Sequence, residues 1–334
     1  MDVLLIESHY SLLVLNTRRI ILMGKTGAGK SSTGNTIFRD TVFQTNHLPN
    51  SQTSSCQAET RSVEGRSFTV IDTPGFCDTA KSEEQLKPET VRWITECAPG
   101  PHAFLIVLKV EKFTPQEEEV ITKMSQYFSP EVFRYSAVLF THGDQLPEGM
   151  TIQQFVSHSE RLSDLVKKCG GRCHVIDNKH WNNKQQENYR SNQFQVAELL
   201  RTVDKIVEEN NGGCYTNEML QAVEREIQQE EESIRQSSGN ISQEEARERA
   251  KISVFKKCLI KFAGFATGTL VGAFVGMVMM VGLVVTALHN ISERLIGGVG
   301  GGVVGYDAAE GAETPGEAAG KAAEAVWNKA EAVF

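Results

Sequence analysis

Along the first two thirds of the chain, short apolar runs alternate with longer segments of helical period. Glycine, proline or small polar residues mark each switch. "RIILM" at 19–23 predicts a strand, and "STGNTIF", behind the glycines that follow, predicts a helix. "QAETRSVEGRSFTVIDTPG" holds two alternating runs joined by "EGR", the pattern of a β-hairpin whose second strand ends at Asp72. "HAFLIVLKV" at 102–110 holds an unbroken apolar run from 103 to 108, as a strand buried on both faces does. "FTPQEEEVITKMSQYF" predicts a helix with Thr114 as N-cap, Pro115 at the first position and Glu117 three residues after the cap. "YSAVLFT" reads as a strand, "IQQFVSHSERLSDLVKKCGG" as one amphipathic helix stopped by glycine, "RCHVI" as a strand and "NQFQVAELLRTVDKIVEEN" as a helix. Such alternation gives an α/β domain, a mostly parallel sheet flanked by helices, with ligand loops at the carboxyl ends of the strands.

The last third changes character. "YTNEMLQAVEREIQQEEESIRQ" predicts a long acidic helix, "SSGN" interrupts it, and Ser242 with Glu245 forms a capping box for a second helix. That helix runs into 27 residues without a charge, 262 through 288. At about 1.5 Å per residue such a run crosses a hydrocarbon core of roughly 30 Å, so a transmembrane helix is expected. Gly264, Gly268, Gly272 and Gly276 recur every fourth residue along it, which predicts a self-association face. Arg247, Arg249, Lys251, Lys256, Lys257 and Lys261 crowd its N-terminal flank, against Arg294 on the other side. The positive-inside rule then places the preceding domain in the cytosol, on a membrane the sequence does not specify.

A net charge of -8 removes the electrostatic footprint of a nucleic-acid binder. Seven cysteines without a CxxC pair fit a reducing compartment. "CGGRC" at 169–173 beside His174 suggests half a metal site, but no second pair completes it.

The chemistry concentrates after the first strand. "GKTGAGKSS" at 24–32 fulfils GxxxxGK[ST] between a strand and a helix, the context a P-loop requires. Its main-chain N–H groups and the helix N-terminus cradle phosphate, Lys30 bridges the terminal phosphates, and Ser31 sits on Mg²⁺. Asp72, closing a strand about forty residues later, is expected to hold the metal through water, and Gly75 completes DxxG by offering its N–H to a γ-phosphate. Phe76 stands where many small GTPases keep a glutamine that orients water, so hydrolysis is expected to be slow. Between these motifs a polar loop carries the hydroxyl that completes the metal shell, Thr53 or alternatively Ser55. After "SAVLF", Thr141, His142, Gly143 and Asp144 fill the four places of a guanine-reading [NT]KxD motif. The Asp144 carboxylate accepts from two guanine N–H donors that adenine lacks, and the His142 imidazole replaces a lysine stem against the base. In "DNKHW" at 177–181, Asn178 is the expected contact to the base or its O6.

"GKTGAGKSSTGNTIF", "DTPGFCDT", "PGPHAFLIVLKVEKFTPQEEEVI" and "VLFTHGDQL" together resemble the immunity-associated nucleotide-binding (GIMAP) family of GTPases over roughly residues 18–235. The resemblance implies a P-loop NTPase G domain, related to septins and chloroplast-import GTPases. It implies that the domain binds GTP and GDP with Mg²⁺ and forms a homodimer or oligomer through its nucleotide face. By matching positions it implies nucleotide contacts from Gly24, Lys25, Thr26, Gly27, Ala28, Gly29, Lys30, Ser31 and Ser32, from Thr45 in switch I, from His142, Gly143 and Asp144, and from Asn178. Some members carry an arginine that acts across the dimer on the partner's phosphate, and Lys112 occupies that position here. A lysine lacks the bidentate fork, which again implies slow turnover. The expected organisation is an N-terminal extension at 1–17, a GIMAP-type G domain at 18–211, a charged helical extension at 212–257, a transmembrane segment at 258–290 and a Gly/Ala-rich tail at 291–334.

Overall fold

The computed structural model describes residues 17–45, 56–73, 83–181, 189–238 and 241–263. They form two compact units, one drawn from residues up to 80 and 100–216, the other from 81–99 and 217 onward.

The first unit is built on a six-stranded sheet in the order β2-β3-β1-β4-β5-β6. Its strands are β1 (Arg18–Met23), β2 (Gln57–Val63), β3 (Arg66–Asp72), β4 (Ala103–Lys109), β5 (Ser136–Thr141) and β6 (Cys173–Val175). β2 and β3 are antiparallel and all other neighbours run parallel, as the alternation of strands and helices predicts. Burial explains the order. β4 and β5 lie in the middle with almost every side chain buried, while β2, with exposed residues at its centre, forms an edge. The helices of this unit are α1 (Lys30–Phe38), α3 (Pro115–Phe128), α4 (Ile152–Ser157), α5 (Glu160–Lys168) and α6 (Asn192–Glu209), with α2 (Glu83–Cys97) belonging to the second unit. α6 buries Val196, Leu199, Leu200, Val203 and Ile206 in the core that also holds Ile20, Leu22, Leu105 and Leu139. Phe104 of β4 meets Phe128 and Tyr215 edge-on at centroid distances of 4.9 and 5.5 Å, a favourable geometry for aromatic quadrupoles.

Two local readings need correction. The amphipathic stretch after β5 is two helices, because the Ser159 hydroxyl accepts the N–H of Leu162 and starts α5 afresh directly after α4. The sequence reading also passed over α2. Its single Pro88 and its mixed composition mask a helix whose Val91, Trp93 and Ile94 are nearly fully buried.

In the second unit α2 packs with α7 (Glu218–Ser237) and α8 (Gln243–Ala263). Asn217 caps α7 by accepting the N–H of Leu220 at 2.9 Å, and Ser242 accepts the N–H of Glu245 at 3.2 Å before α8. Ala246, Ala250, Val254 and Cys258 recur every fourth residue as the buried stripe of α8. Arg247 binds Glu224 through both guanidinium nitrogens at 2.7 and 3.2 Å, and Lys251 reaches Glu96 at 3.4 Å. Arg92 stacks over the Phe255 ring at 5.1 Å. Among the described residues no helix is long and apolar enough to cross a membrane. The uncharged run expected to do so lies outside the described residues from 264 onward.

Candidate functional site

The carboxyl ends of β1, β3, β5 and β6 carry the residues that the motifs single out. Behind β1 the chain turns through 24–29 into α1, and Gly29, the N-cap of α1, sits at φ 92° and ψ 24°. That left-handed conformation costs little only for glycine. Lys30 is buried, and its ammonium donates to the main-chain oxygens of Gly24 and Lys25 at 3.0 and 3.1 Å. It thus stays close to the loop whose phosphate it is expected to bridge. Thr26 and Gly27 are exposed at the loop's tip, Ala28 is buried, and Ser31 and Ser32 are half-buried in the first turn of α1.

Lys25 takes a different direction. Its ammonium lies 2.5 Å from Glu117 and 3.2 Å from Glu111, so its side chain is engaged in an ion-pair cluster at the start of α3. Burial would pull the Lys25 pKa down, but the hydrogen bonds to Glu117 and Glu111 outweigh it and hold the value above that of an ordinary lysine. Burial would likewise push Glu117 up, but the bonds from Lys25 and Thr114 prevail and keep its carboxyl below the usual glutamate value. Thr114 donates its N–H to Glu117 at 2.9 Å, so the Glu117 carboxylate that completes the capping box of α3 is also the anchor of the phosphate loop. The sequence revealed the cap and not the anchor.

Asp72 ends β3 fully buried. Its Oδ2 accepts the Ser31 hydroxyl at 2.5 Å, and its Oδ1 has no hydrogen-bond partner among the described residues. Burial raises its pKa, opposed by the Ser31 bond and the charge of Lys30. A buried carboxylate oxygen left without a donor is costly in isolation, and a hard cation beside it removes that cost. Ser31 and Asp72 therefore fit Mg²⁺.

Thr141, at the end of β5, is buried and points back. Its hydroxyl lies 2.8 Å from the Ala28 oxygen and 3.2 Å from that of Leu108, which ties the phosphate loop to β4 and β5. His142 follows at φ 58° and ψ 49°, half-buried. Gly143 is packed so closely on Trp181 that a Cβ there would come within 2.6 Å of the indole. Asp144 is exposed, and its main-chain N–H donates to Asp177 Oδ2 at 3.1 Å. Hydrogen bonding with the Asp177 carboxylate raises the Asp144 pKa, and desolvation adds to this. For Asp177, burial alone would do the same, but the contact with Asp144 and the N–H groups of His180, Asp144 and Lys179 draw it down to about 2. Asn178 accepts the Thr36 hydroxyl at 2.7 Å, and its Nδ2 lies 3.2 Å from where a Cβ on Gly29 would stand, so β6's loop touches the phosphate loop.

Thr45 is exposed at the last described position before 46–55. Thr53 and Gly75 lie outside the described residues. Lys112 is exposed in the turn between β4 and α3. At the "CGGRC" stretch, burial pushes Cys169 up to about 12 and Cys173 up to about 11, and it lowers His174 to about 4. Among the described residues neither cysteine joins a group of three or more ligands close enough to hold a metal ion. Sequence reasoning overlooked Asp177, although an aspartate just before a polar turn is the signature of a side chain that caps its own following N–H groups.

A phosphate loop opening a parallel sheet, a buried aspartate facing its serine, and two further strand ends converging on the same loop define a nucleotide-binding domain of the P-loop GTPase class. The chain belongs to the AIG1 family, whose model matches residues 18–236. It is 33% identical over 251 residues to immune-associated nucleotide-binding protein 8 of Arabidopsis thaliana, covering 72% of this chain and 69% of that protein. It is 32% identical over 201 residues to GTPase IMAP family member 8 of Rattus norvegicus, covering 60% of this chain and only 28% of that longer protein. Among solved structures it is similar to Toc33 from Arabidopsis thaliana in complex with GDP and Mg²⁺. That match has 17% identity and a TM-score of 0.46, covering 61% of this chain and 90% of that one.

The Lys25–Glu117 pair generates a stability prediction. Glu117→Gln is expected to lower the urea-unfolding stability of the full chain by about 1–2 kcal/mol at pH 7. The folded pKa of Glu117 is depressed, so the pair stabilises above the ordinary glutamate range, and the deficit should shrink as pH falls through the depressed folded value. An unchanged unfolding midpoint at pH 7 would show that the pair contributes nothing.

Proposed function

We propose that this chain is a membrane-anchored guanine-nucleotide-binding module that assembles through its nucleotide face and hydrolyses GTP slowly. The observation that carries the nucleotide reading is the placement of Asp144. It stands exposed just past the end of β5, while its neighbour Thr141 grips the phosphate loop and Asn178, after β6, bonds Thr36 of the helix that follows that loop. A nucleotide whose phosphates lie on 24–32 extends its base toward these two strand ends. There the Asp144 carboxylate accepts from guanine N1–H and N2–H, Asn178 approaches the base or O6, and the His142 ring offers a flat apolar face. Ser31 and Asp72 would hold Mg²⁺, and a switch I hydroxyl, Thr53 or Ser55, would join them in the triphosphate state. When bound, the ion neutralises charge on the phosphate oxygens. Lys30 would serve the same phosphates, and Gly75, by its place in the DxxG pattern, would offer its N–H to the terminal one. Relatives named as GTPases and nucleotide-binding proteins support this reading.

Lys112 in its exposed turn favours weak hydrolysis, because an ammonium meets a partner's phosphate as a point charge without a fork. Phe76, directly after Gly75, brings no amide to orient water. Membrane attachment rests on the charge-free run 262–288 and its basic flank, with the G domain on the cytosolic side. The glycine stripe within that run is a second self-association surface.

Three measurements test this reading. In competition binding to the full chain in detergent, GTP and GDP should displace a guanine probe and ATP should not, and Asp144→Asn should weaken GDP by about tenfold or more. ATP competing as well as GTP sinks the base assignment. In single-turnover hydrolysis at high protein concentration, Lys112→Ala should slow the rate by at least about tenfold. An unchanged low rate leaves a scaffold that turns over nothing useful. Expressed in cells, the full chain should resist alkaline carbonate extraction from membranes, whereas a chain ending at residue 263 should be released. Release of both removes the anchor.

A further inference from the structure

One buried side chain joins the two base-side loops. The Asp177 side chain is 2% exposed, yet it is fully engaged. Its Oδ2 accepts the N–H of Asp144 at 3.1 Å, and its Oδ1 accepts the N–H groups of Lys179 at 2.8 Å and His180 at 2.5 Å. Its own main chain is clasped by Asn192, the first residue of α6. The Asn192 Oδ1 accepts the Asp177 N–H at 3.0 Å, and its Nδ2 donates to the Asp177 oxygen at 2.6 Å. Asn192 is itself nearly buried, and its N–H donates to the Trp181 oxygen at 3.0 Å. The turn carrying Asn178 is thus closed from both sides, and Trp181 at its end is the surface on which Gly143 packs.

We propose that Asp177 is the residue that positions the base-reading groups, fixing Asp144 and the Asn178 turn in one frame and thereby setting the preference for guanine. The proposal rests on the guanine reading of Asp144. A carboxylate that must accept two parallel N–H donors of a planar base has to be held in orientation to within tenths of an ångström. Asp144 is exposed and would otherwise sample several rotamers. Its backbone is pinned by Asp177, and its carboxylate faces three titratable groups, Asp177, His180 and His142. His180 Nδ1 stands 3.3 Å from Asp177 and 3.7 Å from Asp144. Contact with Asp177, first through a hydrogen bond and then through its charge, favours a proton on Asp144, and a guanine ring takes that proton's place by bringing two donors of its own. A base without both donors replaces it less well. Asp177 therefore favours guanine by position and by charge, without touching the base.

The test compares GDP with IDP, whose hypoxanthine lacks the 2-amino donor, and with ADP, on the full chain in detergent. The wild type should prefer GDP over IDP by about tenfold or more. Asp177→Ala should collapse this ratio to within about threefold while inorganic pyrophosphate with Mg²⁺ binds as before. Asp177→Asn keeps the volume and the Oδ1 acceptor for Lys179 and His180 and loses only the Oδ2 acceptor of the Asp144 N–H, so it guards against a variant that fails to fold. It removes the neighbouring charge, so the acid limb of GDP affinity should move to lower pH than in the wild type. An unchanged GDP to IDP ratio in both variants, with the acid limb unmoved in Asp177→Asn, overturns the role of Asp177 and leaves the guanine reading standing. A wild type that binds ADP as well as GDP overturns the guanine reading and this proposal with it.

Discussion

A phosphate-binding loop is useful only if its main chain is held in shape before the ligand arrives, and here the Thr141 hydroxyl supplies the central brace. Its single proton faces the oxygens of Ala28 at 2.8 Å and Leu108 at 3.2 Å, so the loop is held against the ends of two core strands. Around that point the remaining supports are distributed by strand end. Lys25 ties the loop's first turn to the capping box of α3, and Asn178, held by Thr36, leans on its last turn. The physical consequence is preorganisation: the chain has already met the entropic cost of ordering these residues when a nucleotide binds.

Four carboxylates on this face share a chemistry and differ in neighbours. Asp72 is deeply buried and half satisfied, which suits it to a cation. Glu117 is buried and paired, which suits it to anchoring. Asp144 is exposed beside another acid, which leaves it in need of donors, and Asp177 is buried among main-chain N–H groups, which keeps it ionised. Environment rather than residue type assigns each role.

The three-helix unit obeys a different logic. Alanines along α8 allow close packing, and the ion pairs from Arg247 and Lys251 select which residues of α7 and α2 face it. Such pairs favour one register over its neighbours even where their net stabilisation is modest.

By itself the sequence determined the features that depend on local spacing. The glycine pattern of the phosphate loop, the capping box of α3, the hairpin ending at Asp72 and the alternation that yields a parallel sheet all arise from residues within a few positions of one another. Tertiary structure decided whatever depends on distant neighbours. Which way Lys25 points is settled by Glu117, 92 positions further on, and Asp177 acquires its meaning from Asp144, 33 positions before it. The break between α4 and α5 and the helix α2 were missed because a cap at Ser159 and burial of a short mixed face outweigh the periodicity that a linear reading follows. A hydrogen bond between remote loops leaves no periodic trace in the chain, so only the folded arrangement reveals it.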